Sequence, residues 1–383
     1  MSNTLTDLAA DLYKAADTVG RELVGFVPAS QINADGSERV ALNDTVRSHF
    51  TRKAESVSVS PSMTVPEGTD QTVDNKTLSI TKAKAVQIPW RGEEIRSVNN
   101  GSGFETIYGD QIAQAMRTLT NEIEVDMATE AYQNASRAVG DAGTTPFASN
   151  FDLVAEARQI LVDNGCPTDG QISMVLNTRA GTNLRNLAQL QRANEAGGDT
   201  MLRQGILLDL QGIGLRESAG VQSHDTGTLT SGTTLETDGA HEEGDTSISL
   251  ANVDSIDVSP GDVIKIGDHS YVIAEAADSG TTVVIHEPGL VEDVATGTEV
   301  VPETTNFAGN VAFHRNALEL AMRAPAVPEG GDAADDAMTI QDPRSGLVYE
   351  IRTYRGYRKA MFEVAATWGY KAWKPDFAAL VTG

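Results

Sequence analysis

Residues 102–140, SGFETIYGDQIAQAMRTLTNEIEVDMATEAYQNASRAVG, decide how the rest of the chain is read. Ser102 followed by Glu105 has the pattern of a capping box, in which each side chain satisfies an orphan amide at a helix start. Phe104, Ile107, Ile112, Met116, Leu119, Ile123, Met127 and Ala131 then recur mostly three to five residues apart, as on one apolar face of an α-helix. No proline interrupts the run, and Gly140 offers a stop. At about 1.5 Å per residue such a helix runs roughly 50 Å, with Gly109 the place for a bend or a break into two pieces. Glu105, Asp110, Glu122, Glu124, Asp126 and Glu130 exclude a lipid environment, and a strict heptad does not hold. The stretch therefore reads as a spine around which something extended is built.

Upstream of the spine, ESVSVSPSMTVPEGTDQTVDNKTLSITKAKAVQIPW begins at residue 55 and alternates. Val57, Val59, Met63 and Val65 run out, Pro66-Glu67-Gly68 and Asp74-Asn75 turn, and Leu78, Ile80, Ala83, Ala85, Val86 and Ile88 return. Period two on both sides of a polar turn predicts a long β-hairpin. Such a hairpin is marginal alone in water and needs a surface to lie on. Residues 3–25 predict an amphipathic helix ended by Pro28. Residues 29–50 lack a strong period and read equally as a domain edge or as an extended arm ordered by a partner.

Downstream, a helix near 151–164, a strand at 171–177, a helix over 178–197 and a strand region at 205–218 make an α/β unit. Residues 219–305 carry 17 Asp and Glu against the single Lys265, a local net of −16 within a total of −25. This shift is the clearest composition boundary in the chain. Within it, residues 247–290 alternate between turns at Pro260-Gly261, Gly267-Asp268 and Ser279-Gly280, which predicts a small β-barrel or sandwich. Helical spacing returns over NVAFHRNALELAMRAP (310–325), and the last fifty residues alternate again as β-structure carrying most of the late aromatic residues.

The chain is 383 residues long and 40% hydrophobic, enough for two or three domains. It has no apolar run long enough to span a membrane and no basic start or apolar core of a signal peptide. Cys166 is the only cysteine, so no intrachain disulfide forms and folding in a reducing cytosol is expected. The strong negative charge argues against tight, sequence-specific nucleic-acid binding, though not against loose enclosure of DNA by an acidic wall.

Chemistry-bearing motifs are scarce. His224, His241, His269 and His286 lie in the acidic segment, but their spacing matches no metal-binding pattern, and solvated turn histidines are the expectation. There is no phosphate-binding loop or nucleophile elbow, and Gly212-Ile213-Gly214 is half a dinucleotide fingerprint. No catalytic, cofactor-binding or metal-ligating residue is assigned, and no enzyme activity is expected. The sparse cations gather at Arg47, Arg52 and Lys53, at Lys82, Lys84 and Arg91, and at Arg315, Arg323, Arg352, Arg355, Arg358 and Lys359. They read either as ordinary salt bridging or as pairing between subunits, a basic hairpin or arm meeting the acidic spine of the next copy.

Three stretches, taken with this order of parts, resemble one family. NVAFHRNALELAMRAPAVPEGG looks like its segment entering the last helix and loop, and GLVYEIRTYRGYRKAMFEVAATWGYKAWKPDFAALVTG like its closing sheet. GDVIKIGDHSYVI looks like a domain that some short-tailed-phage coat proteins insert. The chain is thus similar to the major capsid (coat) proteins of tailed bacteriophages, with the Hong Kong 97 capsid fold, an α+β fold. The resemblance implies an N-terminal arm over 1–54, an extended loop over 55–92, and a peripheral domain with the spine helix over 93–149. It implies a first part of an axial domain over 150–218, an acidic inserted β domain over 219–305, and the rest of the axial domain with closing peripheral strands over 306–383.

The function implied is a virion component that self-assembles through hexamers and pentamers into an icosahedral shell. That shell would enclose double-stranded DNA without sequence-specific binding, and would form in the bacterial host cytoplasm. The implied partners are many copies of the chain itself, a portal protein and, with no room before the arm for a built-in scaffolding segment, a separate scaffolding protein. No membrane partner and no cofactor is implied. The crosslinking lysine, asparagine and glutamate of some relatives cannot be assigned, so non-covalent assembly is expected. The competing expectation is a decoration or tail protein of a phage.

Overall fold

A computed structural model describes residues 5–23, 25–50, 56–65, 74–92, 104–187, 190 and 209–383. The spine is one unbroken helix, Phe104–Gln133, of 30 residues and about 45 Å, with no break at Gly109. Ser102 lies outside the described residues. Ile112, Met116, Leu119, Ile123, Met127 and Ala131 are all buried, so the apolar face is the one the spacing indicates. The helix ends earlier than Gly140, because the chain leaves it to form a strand, Arg137–Val139. That strand pairs antiparallel with Ser270–Tyr271 and parallel with Ala379–Val381. Gly140 follows at φ +98, where a Cβ would lie 2.6 Å from the carbonyl oxygen of Thr382, so the turn off this strand requires glycine.

The N-terminal helix Leu5–Glu22 lies against the spine through Leu12, Ala15, Ala16 and Val19. Arg117 on the spine closes a two-bond fork on the Glu22 carboxylate at 2.7 and 2.6 Å. Pro28 belongs to a separate short turn of helix, Phe26–Ala29.

The stretch 29–50 is more ordered than its sequence implies. Strand β1, Gln31–Val40, pairs parallel with Leu318–Pro325 inside the chain's own sheet. Strand β2, Thr45–Phe50, pairs antiparallel with β3, Asp74–Ser79. The hairpin thus differs from the expected one. Val57–Val65 has no strand partner among the described residues, Asp74-Asn75 opens a strand instead of turning, and the return splits into β3 and β4, Lys82–Arg91.

Two sheets organise the rest. In the six-stranded sheet the long strand Lys359–Ala372 is central. One side of it holds β4 along its first ten residues and Leu318–Arg323 along its last six. The other side holds Val348–Gly356 and then Ala334–Gln341. The nine-stranded sheet mixes parallel and antiparallel pairs and runs from Val300–Pro302 to Asp209–Leu210. Its middle strands include Asn310–His314 and Ile172–Leu176, with helices Asp152–Asp163 and Thr178–Asn186 beside them. Residues 310–325 are therefore strands, not the expected helix. Asn310–Ala324 apart from the turn at Arg315-Asn316 is buried on both faces, so no alternation marks it as strand.

The apolar side chains fall into one large cluster around the spine, a second around the helix Asp152–Asp163, and a third formed by residues 229–300. The third is wrapped by short strands in small separate sheets, not one closed barrel. It is not detached in hydrogen bonding, since His269–Val272 continues the nine-stranded sheet onto the strand at Arg137.

Candidate assembly surfaces

The hairpin has a fixed base. Val40, Val46, Leu78, Ile80 and Ala321 form a small apolar cluster, with Trp373 against it. Gly369 lets the hairpin backbone lie directly on the sheet, for a Cβ there would be 2.2 Å from the carbonyl oxygen of Ser79. Glu319 locks the arrangement. Its side chain is 2% exposed, and it accepts from Ser48 Oγ at 2.6 Å, Trp373 Nε1 at 2.5 Å and Asn33 Nδ2 at 3.1 Å. A buried carboxylate is tolerated when donors of this kind satisfy it. The Lys76 ammonium stands 5.4 Å from the Trp373 ring centre.

Beyond the base, β2 and β3 are joined by residues 51–73. Of these, 56–65 carry Val57, Val59, Met63 and Val65, each between 79% and 106% exposed. One exposed apolar residue is ordinary, but four within nine residues form a row that nothing among the described residues covers. Residues 51–55, with Arg52 and Lys53, and the turn at Pro66-Glu67-Gly68 lie outside the described residues.

The acids of the spine act as internal tethers. Glu124 accepts from the amides of Phe26 and Val27 at 2.6 and 3.0 Å and from Ser218 Oγ at 2.7 Å. Asp126 accepts from Lys82 Nζ at 2.5 Å and Trp368 Nε1 at 2.9 Å. Lys84 reaches Glu122 at 2.5 Å, and Glu130 accepts from the Ala372 amide at 3.0 Å. Lys82 and Lys84, offered above as candidates for the spine of a neighbouring copy, are thus spent on the spine of their own chain.

The later cations behave likewise. Arg323 meets Glu38 at 2.7 Å, Arg355 meets Asp335 at 2.6 Å, and Arg352 is held between Asp332 and Glu350. Arg315 donates to the Ser30 carbonyl at 3.3 Å. Arg358 sits over the ring of the exposed Tyr357 at the tip of the Val348–Ala372 hairpin, while Arg47 is exposed on β2.

Three of the four histidines expected in solvated turns are buried. His224 Nε2 lies 2.8 Å from Asp262. Burial alone would raise the Asp262 pKa, but the His224 bond and the amides of Ser259 and Gly227 outweigh it and hold the carboxyl below its usual range. His286 Nε2 meets the Gln133 carbonyl at 2.8 Å, and burial lowers its pKa. His241 Nε2 accepts from the Ser249 amide at 3.3 Å, and His269 is half-exposed. Among the described residues no cluster of three or more His, Cys, Asp or Glu side chains is placed to hold a metal ion. Burial pushes the Cys166 thiol up to about 12, with Asp169 and Asp376 adding to it, so it sits as an inert apolar side chain.

The family model described as "P22 coat protein - gene protein 5" matches residues 64–243, from the outer end of the hairpin through the whole spine. That match spans 180 residues, just under half of the chain, and over it the chain is similar to the coat protein of that family. The chain is also similar to solved chains at low sequence identity. One, from "Capsid structure of the Cyanophage P-SCSP1u", is 11% identical at a TM-score of 0.49, over 94% of this chain and 88% of that one. Another, from "Mycobacterium phage Che8", is 14% identical at 0.44, over 88% and 84%. A third, a virus-like particle from Pyrococcus furiosus, is 8% identical at 0.44, over 97% and 98%. No curated protein matches the chain in sequence.

Sequence reasoning missed the Glu319 latch and the tethering role of the spine acids. The one available signal was a carboxylate inside the apolar run NALELAMRAP, which must be paired if that run is buried.

Proposed function

We propose that the chain is a tailed-phage major capsid protein that closes an icosahedral shell of hexamers and pentamers around double-stranded DNA, with the hairpin of each copy lying across the next. The observation that carries this is the exposed row Val57, Val59, Met63 and Val65 beyond a hairpin base latched into its own subunit. A segment so placed gains its apolar burial from a neighbour, and many such modest contacts close a shell. Contact is non-covalent, and no enzyme activity is required of the chain. With a net charge of −25, the inner wall holds DNA without gripping its sequence.

A separate scaffolding protein and a portal protein complete assembly, which takes place in the bacterial cytoplasm. Residues 219–305 act as an inserted domain that supports subunit folding. His224 and His286 support this, since they hold that segment to Tyr132 and Gln133 at the end of the spine. The test is sedimentation and negative-stain microscopy of the purified chain, alone and co-expressed with its genomic neighbours. Closed, regular particles are expected. A discrete small oligomer under every condition would overturn the proposal in favour of a decoration or tail protein.

A further inference from the structure

The longest strands of the six-stranded sheet meet in a tight turn that carries charge and an aromatic ring into solvent. Gly356 pairs with Lys359, so Tyr357 and Arg358 alone connect Val348–Gly356 to Lys359–Ala372. Arg358 holds φ +56, a left-handed conformation that two-residue turns usually give to glycine or asparagine. Arginine is strained at such a position, and here it gains no carboxylate inside the subunit in return. Its guanidinium carbon lies instead 5.5 Å from the Tyr357 ring centre. Tyr357 is 88% exposed, the most exposed aromatic side chain among the described residues. Lys359 is also exposed, with Arg91 of β4 opposite it in the ladder. Among the described residues Lys359 meets no carboxylate either.

Tyrosine and arginine are the side chains that most often anchor protein interfaces, and a planar guanidinium grips a carboxylate through two parallel bonds. The tip therefore fits an acidic protein surface. Duplex DNA is a poorer match, because a few cations on a chain of net charge −25 neutralise too few phosphates to hold it at physiological salt. Every copy of the chain carries a matching surface. Within residues 219–305, Glu242, Glu243 and Asp245 are exposed in one turn, and Glu292 and Asp293 in another. Backbone bonds exchanged between His241 and Val294, at 2.9 and 2.8 Å, hold the two turns side by side. Among the described residues no lysine or arginine pairs with these carboxylates, so the tip does not reach them within its own subunit.

We propose that the hairpin tip of one copy, residues 357–359, docks on the acidic turns at 242–245 and 292–293 of a second copy. The two patches differ, so the contact is head-to-tail, and each subunit gives one tip and receives another. Complementary charge sets the pairing, and the Tyr357 ring supplies the apolar anchor. The contact is separate from the exposed row at residues 57–65 and stands whether or not that row is an interface.

The test uses two full-length chains, both carrying Val57→Ser, Val59→Ser, Met63→Ser and Val65→Ser to remove any contact through that row. One adds Tyr357→Ser, Arg358→Gly and Lys359→Gln. The other adds Glu242→Gln, Glu243→Gln and Glu292→Gln, which leaves the turn bonds of Asp245 and Asp293 in place. By sedimentation velocity each should run as a monomer alone and the mixture as a one-to-one complex, since one chain supplies the acidic turns and the other the tip. The complex should weaken about tenfold or more as salt is raised from about 50 to about 500 mM. Arg358→Gly alone in the tip-bearing chain should raise its melting temperature by about 2 °C, as backbone strain is relieved, yet weaken the complex about tenfold. Should the triple tip variant fail to fold, Arg358→Gly still decides. A mixture that associates no more than either chain alone, or a complex that Arg358→Gly leaves unchanged, would overturn the proposal. So would binding of a short DNA duplex by the tip-bearing chain, lost with Arg358→Gly, in place of any complex between subunits.

Discussion

The base and the reach of one hairpin follow opposite rules. At the base, Leu78, Ile80 and Val46 are buried in their own subunit and Glu319 gathers three donors. Further out, Val57 and Val59 face solvent with no strand beside them among the described residues. Both segments are β-branched and alternating, so intrinsic preference does not separate them. What separates them is whether the chain supplies the opposing surface. The base belongs to the fold of the subunit, and the reach, in the proposed shell, belongs to the contact between copies.

The sharpest way to break the contrast is to make the reach polar. Changing Val57, Val59, Met63 and Val65 together to Ser should abolish closed particles in negative-stain images. The isolated subunit should keep its melting temperature within about 2 °C, as expected for exposed positions. Glu319→Ala strikes the base instead. It leaves Ser48, Trp373 and Asn33 donors without their acceptor, a loss of about 3 kcal/mol measurable by urea unfolding of the subunit. Asp126→Ala strands Trp368 Nε1 and Lys82 on the spine, and should cost about 2 kcal/mol by the same measurement.

The smallest effect concerns the histidine at the end of the spine. Burial lowers the His286 pKa from 6.5 in the folded chain, so the unfolded chain binds the extra proton first. The stability this group contributes is present above about pH 6.5 and falls as pH drops toward the folded value, by at most about 1.4 kcal/mol per pH unit. His286→Gln should flatten that part of the pH profile of unfolding.

Much of this was legible in the sequence, and the failures have a common cause. The spine was readable because one face is apolar and the other polar, and the helix 152–163 and the strand 172–176 likewise carry their own local patterns. Residues 318–325 were not readable. Leu318, Leu320 and Met322 alternate, but Glu319 and Arg323 on the other face are buried too, satisfied by residues nearly 300 positions earlier or some 50 later. A strand buried on both faces among good helix formers gives no periodic signal. Strand β1, QINADGSERV, is mostly polar and becomes a strand through its parallel pairing with Leu318–Pro325. The pairing of Lys82 and Lys84 with the spine was equally hidden, because charge alone does not say whether its partner lies in the same chain. The Val57–Val65 alternation finds no strand partner among the described residues, and in the proposed assembly its partner is another copy.

The account turns on that last point, and cryo-electron microscopy of assembled particles tests it most directly. Val57, Val59, Met63 and Val65 are expected to be buried against another copy in every closed shell. Particles that close with these four side chains still facing solvent would contradict it.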